Sequence, residues 1–179
     1  MNIIDYAKVK HAIVDFATQG VEQFLQKHTG CEFYAFAFDC NAEDAEVNLC
    51  LNTEENFKKI LEEYRIKYPK SYQSAKDIRL LKYNTGDWGY QCFDTMYVFT
   101  DEELDAIFQA MPEDNYQTWQ NFVEHLLIVF TEALQMFTES VTYQKITKTS
   151  DFTAFCIDHD EDFDTALNRM RKDDYEKKA

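Results

Sequence analysis

Apolar positions in the first segment of the chain (Val9, Ile13, Phe16, Ala17, Val21, Phe24, Leu25) recur at steps of three and four. This predicts an amphipathic helix across residues 3–27, closed by Gly30. The period then drops to two. Residues 31–39 carry Phe33, Tyr34, Phe36 and Phe38 on both sides of the alternation, as in a central strand covered on both faces. Val47, Leu49 and Leu51 mark a second strand at 46–51, and the short link before it makes an antiparallel hairpin natural. Asn52 and Glu55 are spaced as a capping box ahead of Phe57, Ile60, Leu61 and Tyr64, so a helix follows and must stop before Pro69.

Residues 70–76 read as a loop, 78–83 as a short strand, and 84–89 as a turn holding Gly86 and Gly89. An aromatic strand is expected at 90–99. Thr100 and Glu103 form a second capping box, leading Leu104, Ile107, Phe108 and Met111 along a helix that ends at Pro112, and Asp114 with Gln117 repeats the device. Trp119, Phe122, Leu126, Phe130, Leu134 and Phe137 then keep a helical period from near Tyr116 to near Glu139, a core spine about 36 Å long. A buried strand at 152–157 and a short helical stripe (Phe163, Ala166, Leu167, Met170) complete the pattern. These elements predict one α+β domain over residues 1–170, a mainly antiparallel sheet packed by the first and the long late helix. Residues 171–179 form a charged, frayed tail.

Charge adds what periodicity does not. Of the net charge of −15, most falls in residues 83–144, which hold Asp87, Asp94, Asp101, Glu102, Glu103, Asp105, Glu113, Asp114, Glu124, Glu132 and Glu139 and no Lys or Arg. A field of one sign repels nucleic acid and anionic lipid and attracts cations or a basic protein surface. The five cysteines (Cys31, Cys40, Cys50, Cys92, Cys156) are odd in number and lack a C-x-x-C pair, which favours reduced structural thiols and a cytoplasmic setting. The N-terminus has no basic flank before an apolar run. The longest aliphatic stretch, residues 126–130, is far short of the ~20 residues a bilayer requires.

Candidate chemistry is sparse. Asp158, His159, Asp160 and Asp162 alternate after a strand as calcium-loop ligands would, but a loop begun at Asp158 has Phe163 at the sixth position and Arg169 at the twelfth. A looser divalent-metal site there stays open beside a solvated loop that caps the next helix. His11, His28, His125 and His159 have no zinc spacing, and Cys92 with His125 is a conceivable nucleophilic pair that nothing selects. No phosphate loop or nucleophile elbow is present, so no catalytic residue is assigned and no cofactor is called for. Trp88, Tyr90, Phe93, Tyr97 and Phe99 interleave with acids. Such a surface suits docking of a basic protein, and the same rings equally suit a strand core with acids as helix caps.

Several features together resemble a bacterial family catalogued as domain of unknown function 4303. They are the opening amphipathic helix, the strand Phe33-Tyr34-Ala35-Phe36-Ala37, Asn52-Thr53-Glu54-Glu55 between strand and helix, Trp88 ahead of an aromatic segment, and Phe155-Cys156-Ile157 running into Asp158-His159-Asp160 with Asn168 downstream. The resemblance spans nearly the whole chain. It implies an α/β domain in bacterial cytoplasm and brings no catalytic residue; families of this size and acidity look like immunity or partner proteins. The leading expectation is a non-enzymatic acidic binding protein of the immunity type that captures a basic protein such as a toxin domain. Asp87, Asp101, Glu102, Glu103, Asp105, Glu113 and Asp114 would steer the partner, and Trp88, Tyr90 and Tyr116 would anchor it. The alternative is a metal-assisted hydrolase using Asp158, His159, Asp160 and Asp162. Mimicry of nucleic acid differs from the first reading only in the basic partner captured.

Overall fold

Helix α1 (Tyr6–Lys27) begins at Asp5, whose carboxylate accepts the Lys8 amide, in a computed structural model that describes residues 4–111 and 115–176. It stops at His28, and Gly30 supplies the left-handed turn (φ 84°) into the sheet. Strands β1 (Phe33–Asn41) and β2 (Glu46–Asn52) form the expected antiparallel hairpin, β3 (Tyr90–Tyr97) lies antiparallel outside β2, and β4 (Lys148–Asp158) lies parallel to β1. The order β3-β2-β1-β4 makes a mixed sheet with two antiparallel pairings and one parallel.

Helices cover both faces. Against one pack α1 and α5 (Asn115–Thr138), meeting Phe36 and Phe38 of β1 with Ile13, Ala17, Phe130 and Phe137. Against the other pack α2 (Glu54–Lys67), α3 (Ala75–Lys82) and α7 (Phe163–Glu176), meeting Ala35, Ala37 and Phe155. This is why β1 is apolar on both sides of its alternation: residues 33–38 are wholly enclosed. The remaining helices are α4 (Asp101–Gln109) and the single turn α6 (Val141–Gln144). The chain is an α+β domain.

Two local readings are corrected. Residues 78–83 are not a strand: α3 occupies 75–82, opened by Ser74, whose hydroxyl accepts the Asp77 amide, with Asp77 in the first turn and Arg79 and Lys82 in the last. Those are helix-start and helix-stop signals, and they outweigh a brief apolar cluster. The cap of α2 is Thr53 rather than Asn52, its side chain accepting the Asn56 amide. The Thr100–Glu103 capping box is present with both of its bonds. Pro112, Glu113 and Asp114 lie outside the described residues.

Asn52 is freed from capping for another task. Its Oδ1 accepts the Thr53 and Gly89 amides (3.0 and 3.1 Å), and its Nδ2 donates to the Tyr34 hydroxyl (2.9 Å). Tyr34 donates onward to the Lys82 carbonyl (2.6 Å), which also accepts the Trp88 indole N–H (3.0 Å). The β1–β4 register shifts between Phe33 and Ala35, where five residues of β4 span what two span in β1, and Tyr34 lies in the core on the side of this network. Asn52 and Trp88, two of the residues that carried the family resemblance, are thus joined through Tyr34 and Lys82 in one buried cluster. None of its buried side-chain polar atoms lacks a hydrogen-bond partner.

Gly20 marks a close approach of α1 to the sheet. A Cβ there would sit 2.7 Å from Leu49 Cδ1 and 2.8 Å from an Asp94 carboxylate oxygen. Gly20→Ala is expected to destabilise by about 1–2 kcal/mol, since overpacking costs about 1–3 kcal/mol and better helix propensity returns at most about 1. Urea unfolding checks the sign, and an unchanged or raised midpoint would contradict the close packing.

Candidate functional site

The carboxylates of residues 83–144 do not share one face. Asp87 lies on the α2/α3 side, accepting from the Tyr64 hydroxyl and from Asn84 Nδ2 (2.6 Å), and that bond pushes the Tyr64 pKa up to about 12. Asp94 points toward Gly20 beneath α1, and Glu132 is paired with Lys10 (2.8 Å). What remains together is α4 and its surroundings. Asp101, Glu102, Glu103 and Asp105 are all exposed on this helix, and among the described residues no Lys or Arg lies within ion-pair distance of them. Hydrogen bonds from its own backbone amide and from Thr100 hold the Glu102 carboxyl below the usual carboxylate range.

Two of the three expected aromatic anchors are elsewhere. Trp88 is 5% exposed, edge-on to Tyr34 and Phe155 in the core, so it cannot meet a partner. Tyr90 is half-buried, its ring against Phe24 (5.1 Å) and His28 (4.8 Å) and its hydroxyl 3.9 Å from Cys31 Sγ. Tyr116 is 72% exposed, as expected. Two further rings are exposed: Tyr97 (62%), four residues before α4 and one of the rings that suit either docking or a strand core, and Phe108 (41%), edge-on to Trp119. Alternation along a strand does not reveal which ring a neighbouring helix will cover, so the sequence leaves open which of the candidate rings stays exposed.

α4 itself buries no residue; Leu104 and Ile107 alone lean on the α1/α5 core. The helix is presented outward, with three acids in its first turn and Asp105 beyond.

The loop after β4 is built differently from a metal site. Asp158 Oδ1 accepts the Ala42 and His159 amides (both 3.2 Å), and Asp162 caps α7 through the Thr165 amide, which keeps its carboxyl below the ordinary range. Glu161 pairs with Arg169, and Asp160 is exposed, 3.4 Å from His159. Asp158, His159, Asp160 and Asp162 form no convergent donor set among the described residues. His125 is exposed against Tyr6 (4.6 Å), on the α5 side of the sheet, whereas Cys92 lies beside Cys50 on the other, so the Cys92–His125 pair does not form.

A cleft of about 450 Å³ opens between α3, the loop after it and the start of α7, with walls that include Tyr72, Leu81, Tyr83, Asp87, Glu161 and Phe163. Its acids are already engaged: Asp87 by Tyr64 and Asn84, Glu161 by Arg169, Asp77 by Ser74.

One further cluster is absent from any sequence spacing. Asp39 of β1, Cys50 of β2 and Cys92 of β3 bring a carboxylate oxygen and two sulfurs within 4.8 Å of one another. Asp39 is buried, and desolvation raises its pKa despite a hydrogen bond from Thr85. Cys92 is exposed, and the hydrogen bond it receives from the Cys50 thiol lowers its pKa.

An α+β domain with helices on both faces of a mixed sheet and one outward acidic helix is the class these features define. The chain belongs to the family described as domain of unknown function (DUF4303), which matches residues 13–173. No curated protein and no solved structure matches it. Among the described residues no helix is long and apolar enough to cross a membrane.

Proposed function

We propose that the chain is a non-enzymatic binding protein whose α4 corner docks a basic protein surface, a role of the immunity type toward a partner such as a bacterial toxin domain. The observation that carries this reading is the combination at α4: exposed acids that pair with no Lys or Arg among the described residues, on a helix that buries nothing, with the exposed ring of Phe108 on the helix itself and the exposed rings of Tyr97 and Tyr116 in the chain segments before and after it. Acids in a first helical turn are also favourable partners of the helix dipole, which accounts for Asp101, Glu102 and Glu103. It does not account for Asp105, nor for the exposure of three large rings on α4 and in the segments that adjoin it in the chain. Rim charge accelerates encounter and aromatic area supplies short-range energy, so the two features together serve docking better than stability. The reading is narrower than a whole acidic face, since Asp87, Trp88 and Tyr90 take no part in it.

The test uses the basic partner isolated with this protein from its source cells. Asp101→Lys with Asp105→Lys is expected to slow association by roughly ten- to a thousandfold at low salt, and the wild-type rate should fall steeply as salt rises. The same charge change at Glu43 and Asp160, both exposed and outside α4, should leave most of the rate intact. Association that ignores ionic strength, or that responds equally to both pairs, would refute the assignment.

A further inference from the structure

We infer that Asp39, Cys50 and Cys92 form a binding site for one thiophilic divalent cation, zinc being the best match. The three side chains supply two sulfurs and one oxygen, and solvent fills the fourth position.

The geometry comes from three adjacent strands. Asp39 pairs with Asn48 across β1 and β2, which places Cys50 two residues along on the same face. β3 then departs from regular pairing: Leu49 is opposite Asp94 and Leu51 opposite Tyr90, so four residues of β3 span what two span in β2. Cys92 lies inside that bulge at φ 42°, a left-handed conformation uncommon for a residue with a side chain, with its amide donating to Cys50 Sγ (3.1 Å). The bulge re-aims the Cys92 thiol at Cys50 and Asp39. Tetrahedral zinc at ordinary bond lengths needs donor separations of about 3.5–3.8 Å, and donors already within 4.8 Å reach that by side-chain rotation.

A second, independent observation points to a cation. Asp39 is 9% exposed, and among the described residues no Lys or Arg forms an ion pair with it. Its Coulombic neighbours are His159, which favours the charged carboxylate, and two more carboxylates, Glu46 and Asp158, which oppose it. An enclosed carboxylate with no Lys or Arg paired to it is costly, and a divalent ion at the two sulfurs would reduce that cost. The Thr85 hydroxyl near Asp39, which favours its charged form, is the kind of outer partner that orients ligands at such sites. Access is through Cys92, the exposed member, and binding would release the two thiol protons to solvent. The buried pair Cys40 and Cys156, 3.8 Å apart, makes a contrast: it has two sulfurs, no exposed member and, among the described residues, no third donor within reach.

Reduced full-length protein titrated with cobalt(II), then displaced by zinc, is the measurement. One equivalent should bind with thiolate-to-cobalt charge-transfer absorption and tetrahedral visible bands. Cys92→Ser should lose that absorption and weaken binding at least roughly tenfold, and Asp39→Asn should weaken it while keeping both sulfurs. Because Cys92 is exposed, its variant is expected to fold, judged by circular dichroism and the metal-free unfolding midpoint. Zinc should raise the midpoint of the wild type and leave that of Cys92→Ser unmoved. Wild type that takes up no cobalt, or uptake that survives Cys92→Ser and vanishes instead in Cys31→Ser or Cys40→Ser, would overturn the site.

Discussion

Trp88→Ala is expected to lower stability by about 3–5 kcal/mol, the range for truncating a buried large aromatic. The indole does two things at once. Its rings fill the space among Tyr34, Phe155 and the α2/α3 layer, and its N–H satisfies the Lys82 carbonyl at the end of α3. Truncation leaves a cavity and removes one of the two donors to that carbonyl, with Tyr34 left as the other. Trp88→Phe should cost less, because it restores much of the packing and forfeits only the hydrogen bond, worth roughly 1 kcal/mol. Chemical denaturation with an unchanged slope checks both values. A Trp88→Ala variant as stable as wild type would mean that the indole is solvent-facing after all, and would return it to the docking surface from which its burial removes it.

Arg169→Ala is expected to cost about 3–5 kcal/mol, as for breaking a buried ion pair on one side. Its guanidinium pairs with Glu161, donates to the Cys156 carbonyl (2.8 Å) and donates through Nε to Thr131 (3.2 Å), so one side chain ties α7 to β4 and to α5. Both partners are mostly enclosed, at 16% and 12% side-chain exposure, and Glu161 would be left as an uncompensated charge. The double variant Glu161→Gln/Arg169→Met should recover much of the loss, since removing both charges also removes the penalty of isolating one. If the double variant is no better than the single one, the cost lies in the bonds to Cys156 and Thr131 rather than in the pair. The same Arg169 occupies the twelfth position of the calcium loop that the acids after β4 mimic. The fold uses a cation there, where a calcium site needs a bidentate carboxylate.

These two residues show how unevenly the molecule could be read. Trp88 was visible as a feature of a Gly-containing turn but was assigned outward, because a lone tryptophan beside an acid looks the same whether it faces water or core. Arg169 was visible only as a failed ligand. Residues 78–83 looked strand-like because a helix of eight residues is too short for periodicity to decide between helix and strand; Ser74 and Asp77 held the answer as a cap. Glu103 with Thr100, in contrast, was legible, because a capping box is a contact between residues three apart. The same limit applies to sites. The acids of α4 are neighbours along the chain and stay neighbours in space, whereas Asp87, Asp94 and Glu132, equally part of the acidic span, separate once the strands and helices are placed.

Local order in the chain determined the long helices, the hairpin, the doubly buried β1 strand and the acidic first turn of α4. Each depends on contacts a few residues apart or on a repeat that the backbone geometry converts directly into a face. Tertiary structure alone decided that β4 runs parallel to β1, that Trp88 turns inward, and that Asp39, Cys50 and Cys92 meet across three strands. Those outcomes depend on register and on one bulge in β3. A register displaced by a single residue would carry Cys50 to the opposite face of the sheet, and no spacing in the sequence records where the bulge falls.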